Sequence, residues 1–221
     1  LYGEYATSLR MSEIGYQSYH QEALNIKYNS LNSFIESLKK GVFEEYKVFK
    51  DLGLYDDDNE RQQISSGILQ IENELYDSIR PKRKGASEKR PIELLSSEGI
   101  EYVEVRGIDL SPNTLTGISK SEMRLLDVFL IHCLIKESEL MSQSEYDEMN
   151  KNYEIAIHSG SDLEQKLSFN GLESSIRNRI SSISEELLII AKELNSVDPE
   201  FEKSVSYCLN MENKSRHLLN N

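Results

Sequence analysis

Apolar residues recur along the chain in two rhythms, and each predicts a different kind of element. Leu31, Phe34, Ile35, Leu38 and Val42 fall at helical spacing, which predicts an amphipathic helix near residues 30–49 with Lys39, Lys40, Glu44 and Glu45 turned largely outward. Residues 67–76 alternate instead: Leu69, Ile71, Asn73 and Leu75 share one face of an expected strand, and Gln70, Glu72, Glu74 and Tyr76 the other. The chain would leave that strand through Arg80, Pro81, Lys82 and Arg83. The basic run from Arg80 to Arg90 reads as a solvated loop, or as a polyphosphate clamp if it folds over a sheet. A second strand is expected at 100–108, with Tyr102, Glu104 and Arg106 on one face and Val103 and Val105 opposite.

From Ser119 onward the helical rhythm returns, opened by the capping box Ser119-Lys120-Ser121-Glu122. Further helices are predicted near 142–157, near 172–195 through Leu172, Ile176, Ile180, Ile183, Leu187 and Leu194, and near 199–210. The most apolar window, Leu125 to Ile135, is too short to span a bilayer and carries Asp127 and His132, so it reads as a buried helix. The fold class expected is α+β, with a sheet portion over residues 1–117 and a helical portion over 118–221 packed on it.

Charge changes the picture by removing partners. A formal net charge of −13 and a pI near 4.9 argue against nucleic acid or an anionic membrane, since either needs a broad basic face. Small anions held by a local cluster stay allowed. Cys133 and Cys208 lack metal-type spacing and read as inert packing in a reducing, cytoplasmic setting. The chain opens on Leu1, with nothing like a signal peptide, and reads as cut from something longer.

Candidate chemistry lies on the strand faces. If the two expected strands pair antiparallel, Glu72, Glu74 and Glu104 come over one surface and form a platform for Mg²⁺, which prefers carboxylate oxygens and lets a phosphate complete its shell. On spacing alone an acidic strand face is more often the solvated side of a sheet than a metal site, and Arg106 could either neutralise Glu104 or hold a phosphate. Asp56 to Glu60 lacks the alternating ligands and glycine of a calcium loop and reads as a solvated turn. His20, His132, His158 and His217 are too scattered for zinc or for a Ser-His-Asp arrangement. No GxGxxG or GxxxxGK[ST] loop is present. Tyr5, Tyr16 and Tyr76 stand beside the charged motifs, where phenols can orient a polar substrate or simply pack.

Three segments, YATSLRMSEIGY (5–16), LQIENELYDSIRPKR (69–83) and GIEYVEVRGIDLSP (99–112), closely resemble the bacterial glutamate-cysteine ligase family of the proteobacterial type, in order and in spacing. The resemblance runs from the first residue to about 135 and more loosely beyond. It implies an ATP- and Mg²⁺-dependent ligase that makes γ-glutamylcysteine from L-glutamate and L-cysteine, on part of a curved antiparallel sheet related to glutamine synthetase. By the same resemblance Glu104 is a metal-bridging carboxylate and Arg106 the arginine that contacts phosphate. Tyr16 and Tyr76 belong to the cysteine pocket, Arg10 helps hold substrate there, and Arg80 and Lys82 contact the nucleotide. Asp77-Ser78 and Gly107 depart from the Ala-Pro and Ser that the family pattern leads one to expect. In that family the residue matching Leu1 lies well inside a longer chain, so a missing first half would be the principal partner. The competing readings are a carboxylate-amine ligase with another acceptor amine, and a non-catalytic helical interaction fragment.

Overall fold

A computed structural model describes residues 3–86 and 88–219, apart from the side chains of Glu22 and of residues 211–219. Ser8–Ile108 form one compact unit, and the described residues up to Thr7 and from Asp109 onward form another. The architecture is α+β, with mixed helices and small antiparallel sheets.

In the first of these units, helix α1 (Leu31–Phe43) starts where the Ser30 hydroxyl accepts from the Ser33 amide and the Ser33 hydroxyl accepts from the Ser30 amide. Its buried face, Phe34, Ile35, Leu38 and Val42, packs with Leu69, Leu75, Ile92 and Leu95. Ile92 and Leu95 come from α3 (Pro91–Glu98). The helix expected to reach residue 49 stops at Phe43, and a short α2 (Lys47–Leu52) follows. The break has a cause: the chain at 67–69 crosses the end of α1, with the Leu69 amide donating to the Gly41 carbonyl at 2.9 Å. Gly67 passes so close that a Cβ there would lie 2.4 Å from the Val42 carbonyl oxygen. Asp56 to Glu60 is a turn held on the Asp56 carboxylate by the Asp58 and Glu60 amides.

The strand expected at 67–76 does not form. Only the ends of its apolar face, Leu69 and Leu75, are buried; Ile71 is exposed, Glu72 is buried, and Glu72–Glu74 make a 3₁₀ turn. The strand lies further on, as β1 (Ile79–Lys82), in the segment expected to be a loop. It pairs antiparallel with β2 (Tyr102–Val105), the core of the second expected strand. Pro81 is tolerated in a ladder that has open edges among the described residues.

In the other unit, α4 (Lys120–Ile135) begins with the expected Ser119/Glu122 capping box. It is half buried rather than buried: Val128 packs with Leu187, Ala191 and Val205, while Phe129, Leu134 and Ile135 are exposed. Cys133 is exposed rather than packed in a core, with a thiol held above its usual range by partial burial, so it stays protonated at neutral pH. Helix α5 (Gln143–Ser159) follows, then a hairpin of β3 (Lys166–Phe169) and β4 (Leu172–Ser175) where helix was expected from Leu172. Asn170 and Gly171, both at positive φ, make the tight turn. Helices α6 (Ile176–Leu194) and α7 (Phe201–Leu219) complete the order. Among the described residues no helix is long and apolar enough to cross a membrane.

Candidate active site

The register of β1 against β2 sets Arg80 directly opposite Glu104 and Lys82 opposite Tyr102, so the polar side chains share one face and Pro81 meets Val103 on the other. Arg80 is 4% exposed, and its Nη2 donates to Glu104 Oε2 at 3.0 Å. The other oxygen of Glu104 is 3.1 Å from Arg106 Nη2. Glu104 therefore sits between two guanidinium groups, one below the face and one at its surface.

Arg106 leads to the aromatic end. Its Nη1 donates to the Tyr16 hydroxyl, and its Cζ lies 5.4 Å from the centre of the Tyr16 ring. Arg10 stacks on the same ring at 4.9 Å and donates from Nε to the Arg106 carbonyl at 2.5 Å. Burial, and then the charge of Arg10, push the Arg106 guanidinium below its usual range. Glu104 answers the Arg106 charge on one side, and Arg10 stands close enough on the other that an anion bound there would meet two cations. The Tyr16 ring also meets Tyr76, with centroids 4.4 Å apart.

Local sequence explains why these residues converge. Tyr16 is delivered by a tight turn in which its amide donates to the Arg10 carbonyl at 2.5 Å. Gly15 makes that turn possible, because a Cβ there would lie 2.1 Å from the same oxygen. Tyr76 is held by Gln21, whose Oε1 accepts from the Tyr76 amide and whose Nε2 donates to the Glu74 carbonyl, each at 2.8 Å. Gln21 and Gly15 were not singled out from the sequence; the glycine immediately before Tyr16 in the 5–16 motif was the available signal, and Gln21 had none. Lys82, half-buried, places Nζ 3.2 Å from Asn73 Oδ1.

The three-carboxylate platform is not built. Glu72 is buried and paired with Arg90 at 2.9 Å, and Glu74 caps the Gln70 amide at 2.6 Å. The turn is 3₁₀ rather than extended, so it aims Glu74 back into its own loop and Glu72 towards Arg90 at the start of α3. Among the described residues no group of three or more His, Cys, Asp or Glu side chains could hold a metal ion. Glu104, a charged oxygen donor about one-third exposed, fits one position in the shell of a hard cation. Tyr5 lies in the other unit.

The chain matches the family described as glutamate-cysteine ligase over residues 1–156. It is 38% identical over 195 residues to the glutamate–cysteine ligase of Pseudomonas savastanoi pv. phaseolicola, covering 88% of this chain and 36% of that one. Against the glutamate–cysteine ligase of Shewanella halifaxensis it is 40% identical over 195 residues, covering 88% and 37%. A crystal structure of glutamate–cysteine ligase from Francisella tularensis in complex with AMP matches with a TM-score of 0.86 at 31% identity, over 95% of this chain and 41% of that one. The chain thus spans between 36% and 41% of the length of these relatives. It belongs to the glutamate-cysteine ligase family.

Proposed function

We propose that these residues form the phosphate and acceptor end of the active site of an ATP- and Mg²⁺-dependent ligase joining the γ-carboxylate of L-glutamate to the amine of L-cysteine. The observation that carries this reading is the continuous contact from Glu104 through Arg106 to Tyr16 and Tyr76, which links a carboxylate, two cations and two phenols on one face. A relative crystallised with AMP supports use of an adenine nucleotide. A carboxylate is a poor acylating agent. A γ-carboxylate oxygen of glutamate would attack the γ-phosphorus of ATP and expel ADP, and the cysteine nitrogen would then attack the acyl carbon, losing a proton as phosphate leaves.

In that reaction Arg106 stabilises charge that spreads over the transferring phosphoryl oxygens. Arg10, beside it, offers a second cation to the carboxylate of an amino acid. Tyr16 and Tyr76 orient the acceptor. Glu104 would hold Mg²⁺ together with oxygens of substrate and water, and the bound ion would draw charge from the phosphate. Lys82 is proposed as a nucleotide contact. Arg80, with its guanidinium turned onto protein acceptors, would reach the nucleotide only through Glu104. The open-edged β1/β2 ribbon would be part of a larger curved sheet of the glutamine synthetase kind, completed by the portion of the family ligases that this chain does not span, in the cytoplasm.

The decisive measurement is ADP release from ATP, Mg²⁺, glutamate and cysteine by the protein that carries these residues. Glu104→Gln keeps the shape of the side chain and removes its charge, and should lower turnover by about 100-fold or more. Near-normal turnover at moderate Mg²⁺ would refute the assignment. Residues 1–221 by themselves should show no appreciable turnover, because a Mg²⁺ held by one carboxylate stays largely hydrated and poorly placed. Activity that appears on mixing with the remainder of a family ligase supports a divided site; robust activity without it would place the catalytic centre elsewhere. Other amines offered in place of cysteine test the acceptor.

A further inference from the structure

We propose that Arg80 is a positioning residue that couples the charged end of the site, Glu104 and Arg106, to its aromatic end, Tyr16 and Tyr76. What binds at each end rests on the ligase reading above; the coupling itself does not. One guanidinium makes three bonds in two directions. Its Nη2 donates to Glu104 Oε2 at 3.0 Å, while its Nη1 donates to the carbonyls of Asn73 at 2.9 Å and Leu75 at 3.1 Å. The Leu75 carbonyl belongs to the same peptide group as the Tyr76 amide, and that amide donates to Gln21 Oε1 at 2.8 Å. The peptide that carries Tyr76 is thus gripped on its oxygen by Arg80 and on its nitrogen by Gln21.

The circuit closes on the other side. Glu104 pairs with Arg106, Arg106 with the Tyr16 hydroxyl, and the Tyr16 ring with Tyr76. A change of charge at Glu104 alters the pull on Arg80, and a planar, rigid guanidinium transmits that pull to the Leu75 carbonyl instead of absorbing it. Stability alone does not account for the residue. Arg80 is 4% exposed, and its Nε is buried without a hydrogen-bond partner. A buried cation with an unsatisfied donor is a poorer filler than an apolar side chain of similar size. Lysine at this position would keep the charge and lose the fork that spans both directions.

The test reads the Tyr76 amide by ¹⁵N–¹H NMR in the protein that carries these residues. Glu104→Gln should shift the Tyr76 amide, although no hydrogen bond joins the two residues. The same substitution made in an Arg80→Lys background should shift it by less than half as much. A Tyr76 amide that ignores Glu104→Gln overturns the coupling, and so does an equal shift with and without Arg80. Should Arg80→Lys not fold, Glu104→Gln is read in a Tyr16→Phe background, which breaks the Arg106–Tyr16 bond of the other route: a Tyr76 amide that still shifts sustains the coupling through Arg80, and one that no longer shifts overturns it. Kinetics add a second readout: Arg80→Lys should raise the KM for cysteine and lower kcat, each by roughly 10-fold, whereas a purely structural residue would lower the folded fraction and leave KM unchanged. Amide coupling without any ligase turnover would sink the proposed reaction and sustain this inference; turnover with an unresponsive amide would do the reverse.

Discussion

Tyr16 takes part in more contacts than any tally of its chemistry would suggest. Its hydroxyl accepts from Arg106, its ring carries Arg10 and Arg106 at 4.9 and 5.4 Å, and the same ring packs at a tilt against Tyr76. Removing the hydroxyl takes from Arg106 the acceptor of its Nη1 and leaves it Glu104 alone on Nη2. Tyr16→Phe and Tyr76→Phe should therefore raise the KM for cysteine by roughly 3- to 10-fold, with a smaller change for ATP, and the larger effect at Tyr16 because it also releases Arg106. Equal changes for both substrates would count against the acceptor role. At this scale the sequence was informative where a motif surrounded the residue: Tyr16, Tyr76, Glu104 and Arg106 stand together in the structure. It was silent on the direction each side chain takes. Glu72 and Glu104 are alike as letters, yet one is buried against Arg90 and the other lies partly exposed between Arg80 and Arg106.

At the scale of elements, the hairpin β3/β4 shows a local rule overridden by a neighbour's grip. Leu172 and Ile176 fit the helical rhythm of α6, but Asn170-Gly171 is the strongest short hairpin signal in the chain and it prevails. Helix α5 reinforces it. The Glu148 carboxylate accepts from the Ser168 hydroxyl, from the Gly171 amide at 3.0 Å and from the Asn170 amide at 2.7 Å. One turn along, Asn152 exchanges bonds with the backbone of Ser168. The Ser168 hydroxyl first, and then the turn amides, hold Glu148 below the usual carboxylate range. A depressed folded-state value means that the clamp is fully present above the unfolded value, near about 4.3, and is lost as pH falls through the lower folded one. The amide signals of Asn170 and Gly171 should accordingly titrate together with a midpoint below that of a free glutamate, and Glu148→Gln should flatten the titration. A midpoint at or above the ordinary value would show that the carboxylate does not hold the turn. The strand at 79–82 was lost to sequence reading for a related reason: the alternation of 69–76 is real, but a 3₁₀ turn uses it to bury Leu69 and Leu75 at its two ends.

On the scale of the whole molecule, each unit has its own buried cluster, one around Leu69 and Phe34, the other around Val128 and Leu187. Leu69→Ala and Leu187→Ala should each cost about 2–5 kcal/mol, read as loss of hydrogen-exchange protection confined to the unit that contains the substitution. Protection lost equally in both would show that the two fold as one. The sequence by itself located the long helices α1 and α4 to α7, though not all their bounds and not α2 or α3, because a period of three to four residues is written within a single long segment and needs no partner. It also determined the acidic balance and the motifs that carry the family. Only the tertiary structure decided which segment pairs with Tyr102–Val105, that Arg80 lies beneath Glu104 rather than in a loop, and that Glu72 and Glu74 turn away from the site. Strand pairing joins residues some twenty positions apart, and a one-residue change of register reverses every side chain, so the outcome depends on which contacts can be made together and not on the alternation of either strand.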